Sequence, residues 1–239
     1  MAEAEANESK PASAAKRRAT AARDAPARPR VVRAERRAQI LDAMYQVMAS
    51  RGLAGASVTE IADAAGIARG ALHYFFENKD EITSSLMQRL GGRYRDDLAA
   101  YIERRAAAGK RATLVGDVAR WHFLGDSDDA LRRMSVWIDY WGQAATHPGI
   151  RDVVREIQDG ARSLLARALV LQRPELAALP ENARYVSAAA LLAVVEGGLL
   201  QWRIASAHLD RTSLGDAVAF AADLAVRAID PAQVSKEAR

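Results

Sequence analysis

The 239-residue chain contains no cysteine. That excludes a disulfide framework, a thiolate metal site and a thiol nucleophile, and it suits a reducing cytoplasm. Histidine is nearly as scarce. His73, His122, His147 and His208 are scattered, with no H-x-x-x-H pair and no H-E-x-x-H. A glycine-rich phosphate loop and a nucleophile elbow are also missing. No catalytic residue, metal or cofactor is therefore expected, and the chain is not read as an enzyme. No apolar run is long enough to span a bilayer without a charge or a break, so no membrane partner is expected. No apolar h-region follows Met1, so no secretory signal is expected. No segment alternates with period two in β-branched residues, which argues against a sheet.

Half of the residues are hydrophobic, enough for one sizeable core or two small ones. The formal net charge is +4, and its placement says more than its size. Met1 to Arg37 carry ten Lys or Arg and five Asp or Glu, which leaves 24 basic and 25 acidic residues for the remainder. Residues 1–32 are rich in Ala, Arg, Lys, Ser and Pro and have no aromatic side chain. Such a segment buries too little apolar surface to offset its ordering entropy, so it is expected to be a disordered basic tail. A tail of this kind is either a plain solvated leader or a source of phosphate contacts without base specificity.

Helical periodicity dominates the rest. A first helix is expected from Arg36 to Ser50, ended by Gly52. Ser57 and Glu60 form a capping box for a second helix. A third runs from Ala68 to Phe76. Asn78 and Glu81 cap a long fourth helix reaching Arg105, with Gly91 and Gly92 as a weak point. Further helices are expected over Leu114–Leu124, Asp128–Ala145, Ile150–Leu171, Asn182–His208 and Ser213–Ile229. The expected fold is all-α, with about nine helices. Residues 33–82 form a helix-turn-helix domain and residues 83–239 an effector-binding and dimerisation domain.

Ser57 to Lys79 is the most informative stretch. Ile61, Ala62 and Ala65 form one apolar face; Gly66 breaks the run; Leu72, Phe75 and Phe76 form a second. Ala62 permits close helix crossing, and Gly66 can take the positive φ of a tight turn. This is a helix-turn-helix, whose second helix enters a DNA major groove. Arg69 is the lone basic residue on that helix besides His73, and its guanidinium can read guanine bidentately. Gly70 and Ala71 let the backbone approach the groove floor. Leu72, Phe75 and Phe76 are expected in the core.

On S-V-T-E-I-A-D-A-A-G-I and G-A-L-H-Y-F-F-E-N-K-D-E-I, the chain resembles the TetR family of bacterial transcriptional regulators. The resemblance covers Arg36 to about Leu86. It implies phosphate contacts at Ser57, Thr59, His73, Tyr74 and Lys79, with Ala68 opening the recognition helix. Two positions depart from the family pattern. Ala68 stands where a capping Ser is usual, and His73 where a phosphate-contacting Tyr is usual. W-I-D-Y-W-G-Q-A-A-T-H-P and V-E-G-G-L-L-Q-W-R resemble, more loosely, the choline-responsive betaine-pathway repressors.

The reading domain is itself acidic, with three basic and six acidic residues between Ala38 and Ile82. The basic residues from Lys16 to Arg37 are therefore expected to supply much of the DNA affinity. Trp121, Met134, Trp137, Tyr140, Trp141 and Glu196 are the candidate effector residues. A carboxylate among indoles suits a cationic ligand, while an aromatic ligand would stack there. The plainer alternative is ordinary core, with Glu196 paired to Arg203 or another base. Small and apolar residues at helical spacing over Ala188–Leu199 and Ala217–Ala228 fit a homodimer, as the resemblance also implies. The expected activity is that of a cytoplasmic, ligand-responsive repressor of a palindromic double-stranded operator. The competing readings are an all-α enzyme and a non-specific DNA-binding or interaction protein.

Overall fold

The computed structural model describes residues 29–124 and 129–230. Among the described residues there are nine α-helices, one 3-10 helix and no strand. They are α1 Pro29–Gly55, α2 Val58–Ala64, α3 Arg69–Phe75, α4 Lys79–Ala107, α5 Leu114–Leu124, α6 Asp129–Ala144, α7 Pro148–Gln172, α8 Glu181–Ala205 and α9 Arg211–Ala228. The 3-10 helix, Pro174–Ala178, was not expected from periodicity. The described residues divide into two units, 29–39 and those from Ile40 onward.

α1 begins at Pro29, inside the segment expected to be disordered. Proline at the first helical position brings a pre-set φ and no orphaned donor, and the Arg, Ala and Glu that follow are good helix formers. The tail before it lies outside the described residues. Gly52 breaks α1 internally, with φ 72° and ψ 172°. The capping box of α2 is present: Ser57 Oγ accepts from Glu60 N, and Glu60 Oε2 accepts from Ser57 N. Gly66 makes the turn at φ 65°. Ala68 gives α3 no side-chain cap. Asn78 caps α4 by accepting from Glu81 N at 2.9 Å.

α4 passes through Gly91 and Gly92 unbroken. Space, rather than flexibility, explains Gly91: a Cβ there would lie 2.4 Å from Ile157 Cγ1 of α7. The glycine lets the two helices approach closely.

Two buried clusters form. One gathers Ile40, Met44, Ile61, Leu72, Phe76 and Leu86 with Val136 and Tyr140 of α6 and Val153, Val154 and Ile157 of α7. The expected boundary near residue 82 falls inside α4, and this core extends beyond it. The other cluster packs Leu98, Val118, Phe123, Leu165, Leu192, Val195, Leu199 and Trp202, drawn from α4, α5, α7 and α8. Among the described residues α8 is the helix long and apolar enough to cross a membrane by length and composition, but Glu196 interrupts it, so it is not an uncharged apolar run. It buries Ala188, Leu191, Leu192, Val195, Leu199 and Trp202 against neighbouring helices instead.

Candidate functional site

α3 is two-sided. Leu72 and Phe76 are buried and Phe75 is half-buried, while Arg69, Gly70, Ala71, His73 and Tyr74 are exposed. Tyr74 stands out at 71 % exposure, unusual for a large aromatic on an otherwise anchored helix. Ser57, Thr59 and Ala68 are exposed beside it. The helix-turn-helix thus brings eight of the nine candidate DNA-contacting residues to solvent. His73 Nδ1 lies 3.3 Å from Glu77 O.

The ninth, Lys79, is half-buried, and its ammonium donates to Leu53 O at 2.7 Å. Arg51 is paired with Glu60. Of the three basic residues between Ala38 and Ile82, only Arg69 has no hydrogen-bond or ion-pair partner among the described residues. The acidic balance of the head is therefore sharper in space than in sequence. The basic residues of the expected phosphate-binding tail before Pro29 lie outside the described residues; Arg33 and Arg36 on α1 are exposed.

Leu53 is held from both sides. Its N–H donates to the Asp139 carboxylate of α6, and its carbonyl accepts from Lys79 of α4. It follows directly on the Gly52 break, so the two peptide units that flank Leu53 at the hinge of α1 are each held by another helix.

A cavity of about 160 Å³ opens on the other side of α6. Trp121, Met134, Trp137, Trp141 and Glu196 all line it. Tyr140 does not. It is fully buried in the head-side cluster with Val136. Tyr140 immediately precedes Trp141, so its side chain leaves the helix about 100° away and points to a different layer. Sequence reasoning missed Tyr94, His122, Arg133 and Gln158 among the walls. Tyr94 stands seven residues from its nearest aromatic neighbour in the sequence, Tyr101, and Gln158 carries no signature of its own; only packing reveals them.

The rings interlock. Trp121 stacks on Tyr94 at 6.2 Å and on Tyr101 at 5.6 Å, and Trp137 tilts against Trp141 at 5.8 Å. Burial lowers the His122 pKa to about 4, so the ring is neutral at physiological pH. Its Nδ1 lies 2.7 Å from Val118 O, which fixes the proton there; Nε2 then accepts from the Tyr94 hydroxyl at 2.7 Å. Burial also raises the Tyr94 phenol, with the Glu196 charge adding to it.

Glu196 is not paired with Arg203, whose Nε donates to Ser135 Oγ at 3.0 Å. Gln158 Nε2 donates to Glu196 Oε1 at 3.3 Å. Burial pushes this carboxyl up to about 7, against smaller opposing effects of Arg162 and Gln158. Trp141 Nε1 is buried without a hydrogen-bond partner. A buried unpaired donor costs about 1–3 kcal/mol, which a ligand acceptor would offset.

A second, polar space of about 410 Å³ adjoins the first. Tyr94, Trp121, Arg133 and Trp137 belong to both walls.

Comparison with known proteins agrees with this geometry. Residues 40–86 match the family model described as "Bacterial regulatory proteins, tetR family", and residues 120–227 match "BetI-type transcriptional repressor, C-terminal". The HTH-type transcriptional regulator BetI of Burkholderia mallei is 29 % identical over 177 residues, spanning 73 % of this chain and 85 % of that protein. A transcriptional regulator from Rhodococcus sp. Rha1 superposes with a TM-score of 0.63 at 25 % identity, covering 80 % of this chain and 94 % of that one. A putative transcriptional regulator from Saccharomonospora viridis, solved in complex with choline, gives 0.65 at 20 % identity over 77 % and 94 %.

Proposed function

We propose that this chain, which belongs to the TetR family of bacterial transcriptional regulators, reads its operator through the exposed side of α2 and α3 and leaves it when a small molecule fills the cavity beside α6. The regulator is a DNA-binding, ligand-responsive repressor. The observation that carries the coupling is the two-sidedness of α6. Met134, Trp137 and Trp141 wall the cavity. Val136 and Tyr140 enter the head-side core, and Asp139 holds the Leu53 N–H. A ligand that displaces α6 therefore acts on the hinge that precedes the reading helices. By linkage, operator DNA weakens ligand binding by the same factor.

The part of the effector lodged among Trp121, Trp137 and Trp141 is aromatic or cationic. Either chemistry gains from ring faces. Glu196 supports the cationic form when ionised, although near neutrality it holds its proton about half of the time.

The working unit is a homodimer. Val186, Val194, Leu200 and Ile204 of α8 and Phe220 and Leu224 of α9 are large, apolar and exposed. Pairing these ridges with a second copy buries them in a four-helix bundle. The dimer places two reading heads on half-sites of a palindrome.

Selection of bound sequences from random DNA, followed by footprinting, tests the operator. A discrete inverted repeat is expected; diffuse protection would overturn specific reading. Sedimentation of Ile204→Glu/Phe220→Glu tests assembly. The expected outcome is a monomer with no measurable operator affinity, and an unchanged dimer refutes the bundle.

A further inference from the structure

The aromatic cavity alone, at about 160 Å³, is smaller than the roughly 300–1,000 Å³ usual for ligand sites. Only with the adjoining 410 Å³ space does the site reach that range. The two halves differ in chemistry. The cavity is mostly apolar. The vestibule is walled by Arg89, Arg93, Arg104 and Arg133 against Asp42 and Asp97, a local excess of two positive charges.

Placement sharpens the asymmetry. Asp42 is already engaged by Arg89 at 2.7 Å. Arg93 and Arg104 have no carboxylate partner among the described residues. Arg104 rests over the Tyr101 ring at 6.0 Å, a ring that itself stacks on the cavity's Trp121. Arg93, Asp97 and Arg104 follow one another at intervals of four and seven along α4, so they share one face. Arg133 of α6 belongs to both walls. Guanidinium groups on two helices, beside a cavity of rings, make a fork-shaped receptor for a carboxylate next to an apolar box.

Resting on the reading of the cavity as the effector site, we infer that the effector is an organic acid, its apolar or aromatic body among the indoles of the cavity and its carboxylate held in the vestibule by Arg93, Arg104 and Arg133. The acid group lies between α4 and α6, the two helices that bond the N–H and the carbonyl of Leu53. Binding at this junction draws on both at once.

Three molecules with one body and different ends test the inference: 4-phenylbutyrate, 4-phenylbutanol and 4-phenylbutylamine, titrated into the full chain and followed by tryptophan emission. The acid is expected to bind at least about tenfold tighter than the alcohol and the amine weakest. In Arg93→Gln/Arg104→Gln the acid-to-alcohol preference should fall below about threefold. An acid no better than the alcohol, an amine better than either, or a preference that survives the double variant overturns the inference. The cavity itself is checked by Ala161→Leu, which fills it from the α7 wall. Loss of all binding there places the probes in the cavity and supports the inference. Undiminished binding in that variant overturns the effector reading on which the inference rests.

Discussion

Asp139→Ala removes the carboxylate that receives the Leu53 N–H and touches no residue that faces DNA. Leu53 is buried, and its N–H, just beyond the Gly52 break, donates to that carboxylate. A hydrogen bond to a charged group contributes about 1.5–3 kcal/mol, and an orphaned buried donor costs about 1–3 kcal/mol. The variant should therefore lose about 2 kcal/mol. At roughly 2–4 °C per kcal/mol for a chain of this size, the melting temperature should fall by about 4–8 °C at fixed protein concentration. Asp139→Asn keeps an acceptor but loses the charge, so about half of that loss is expected. Fluorescence anisotropy with labelled operator reads the second consequence. Coupling between two sites is typically a 5- to 150-fold change in affinity. Without the α6-to-hinge bond, effector should weaken operator binding by less than about threefold. Melting temperatures of both variants equal to the parent, with induction intact, would refute the assignment of Leu53 as the hinge.

Gly91→Ala should cost about 1–3 kcal/mol in urea unfolding, because a methyl there would lie 2.4 Å from Ile157 Cγ1, and the cost should be smaller in an Ile157→Ala background, which lacks that atom. Glu196→Gln should flatten a pH dependence. Burial raises this carboxyl from 4.5 to about 7, so the folded chain binds a proton that the unfolded chain releases, and stability declines as pH rises from about 4.5 to 7. At 1.36 kcal/mol per unit the ceiling is about 3 kcal/mol; partial solvation brings it to about 1–2 kcal/mol, recovered by glutamine at pH 8 and absent at pH 4. Equal unfolding midpoints for the parent and this variant at pH 8 would count against it. Arg69→Ala should cost about 1–3 kcal/mol of operator affinity and relax selectivity at one base position, as sequence selection would reveal.

Local signals in the sequence carried most of the fold. Ser57 with Glu60, Asn78 with Glu81, and Gly66 each act within four residues, so spacing is enough to read them. The same holds for the alternating exposure of α3, which follows from Leu72 and Phe76. Signals that depend on a distant partner stayed hidden. Gly91 looks like a weak point until Ile157 is placed against it. Tyr140 looks like a neighbour of Trp141 until the helix is packed on both sides. Arg93, Arg104 and Arg133 are indistinguishable from a solvated charged face, because the vestibule arises only when α4 and α6 meet. Asp139, one ordinary acid among 30 acidic residues, gives no sequence hint that it serves a backbone donor 86 positions away.

The recognition helix has no side-chain cap of its own and is only seven residues long, so it depends on Leu72 and Phe76 for its place. That division of labour separates heritable change in specificity from change in the fold. Exposed positions such as 69, 70 and 71 can mutate at little cost in stability, since nothing in the core leans on them. After a gene duplication, one copy could drift to a new operator through these three positions while keeping its effector cavity. The other copy would go on serving the old promoter under the control of the same small molecule.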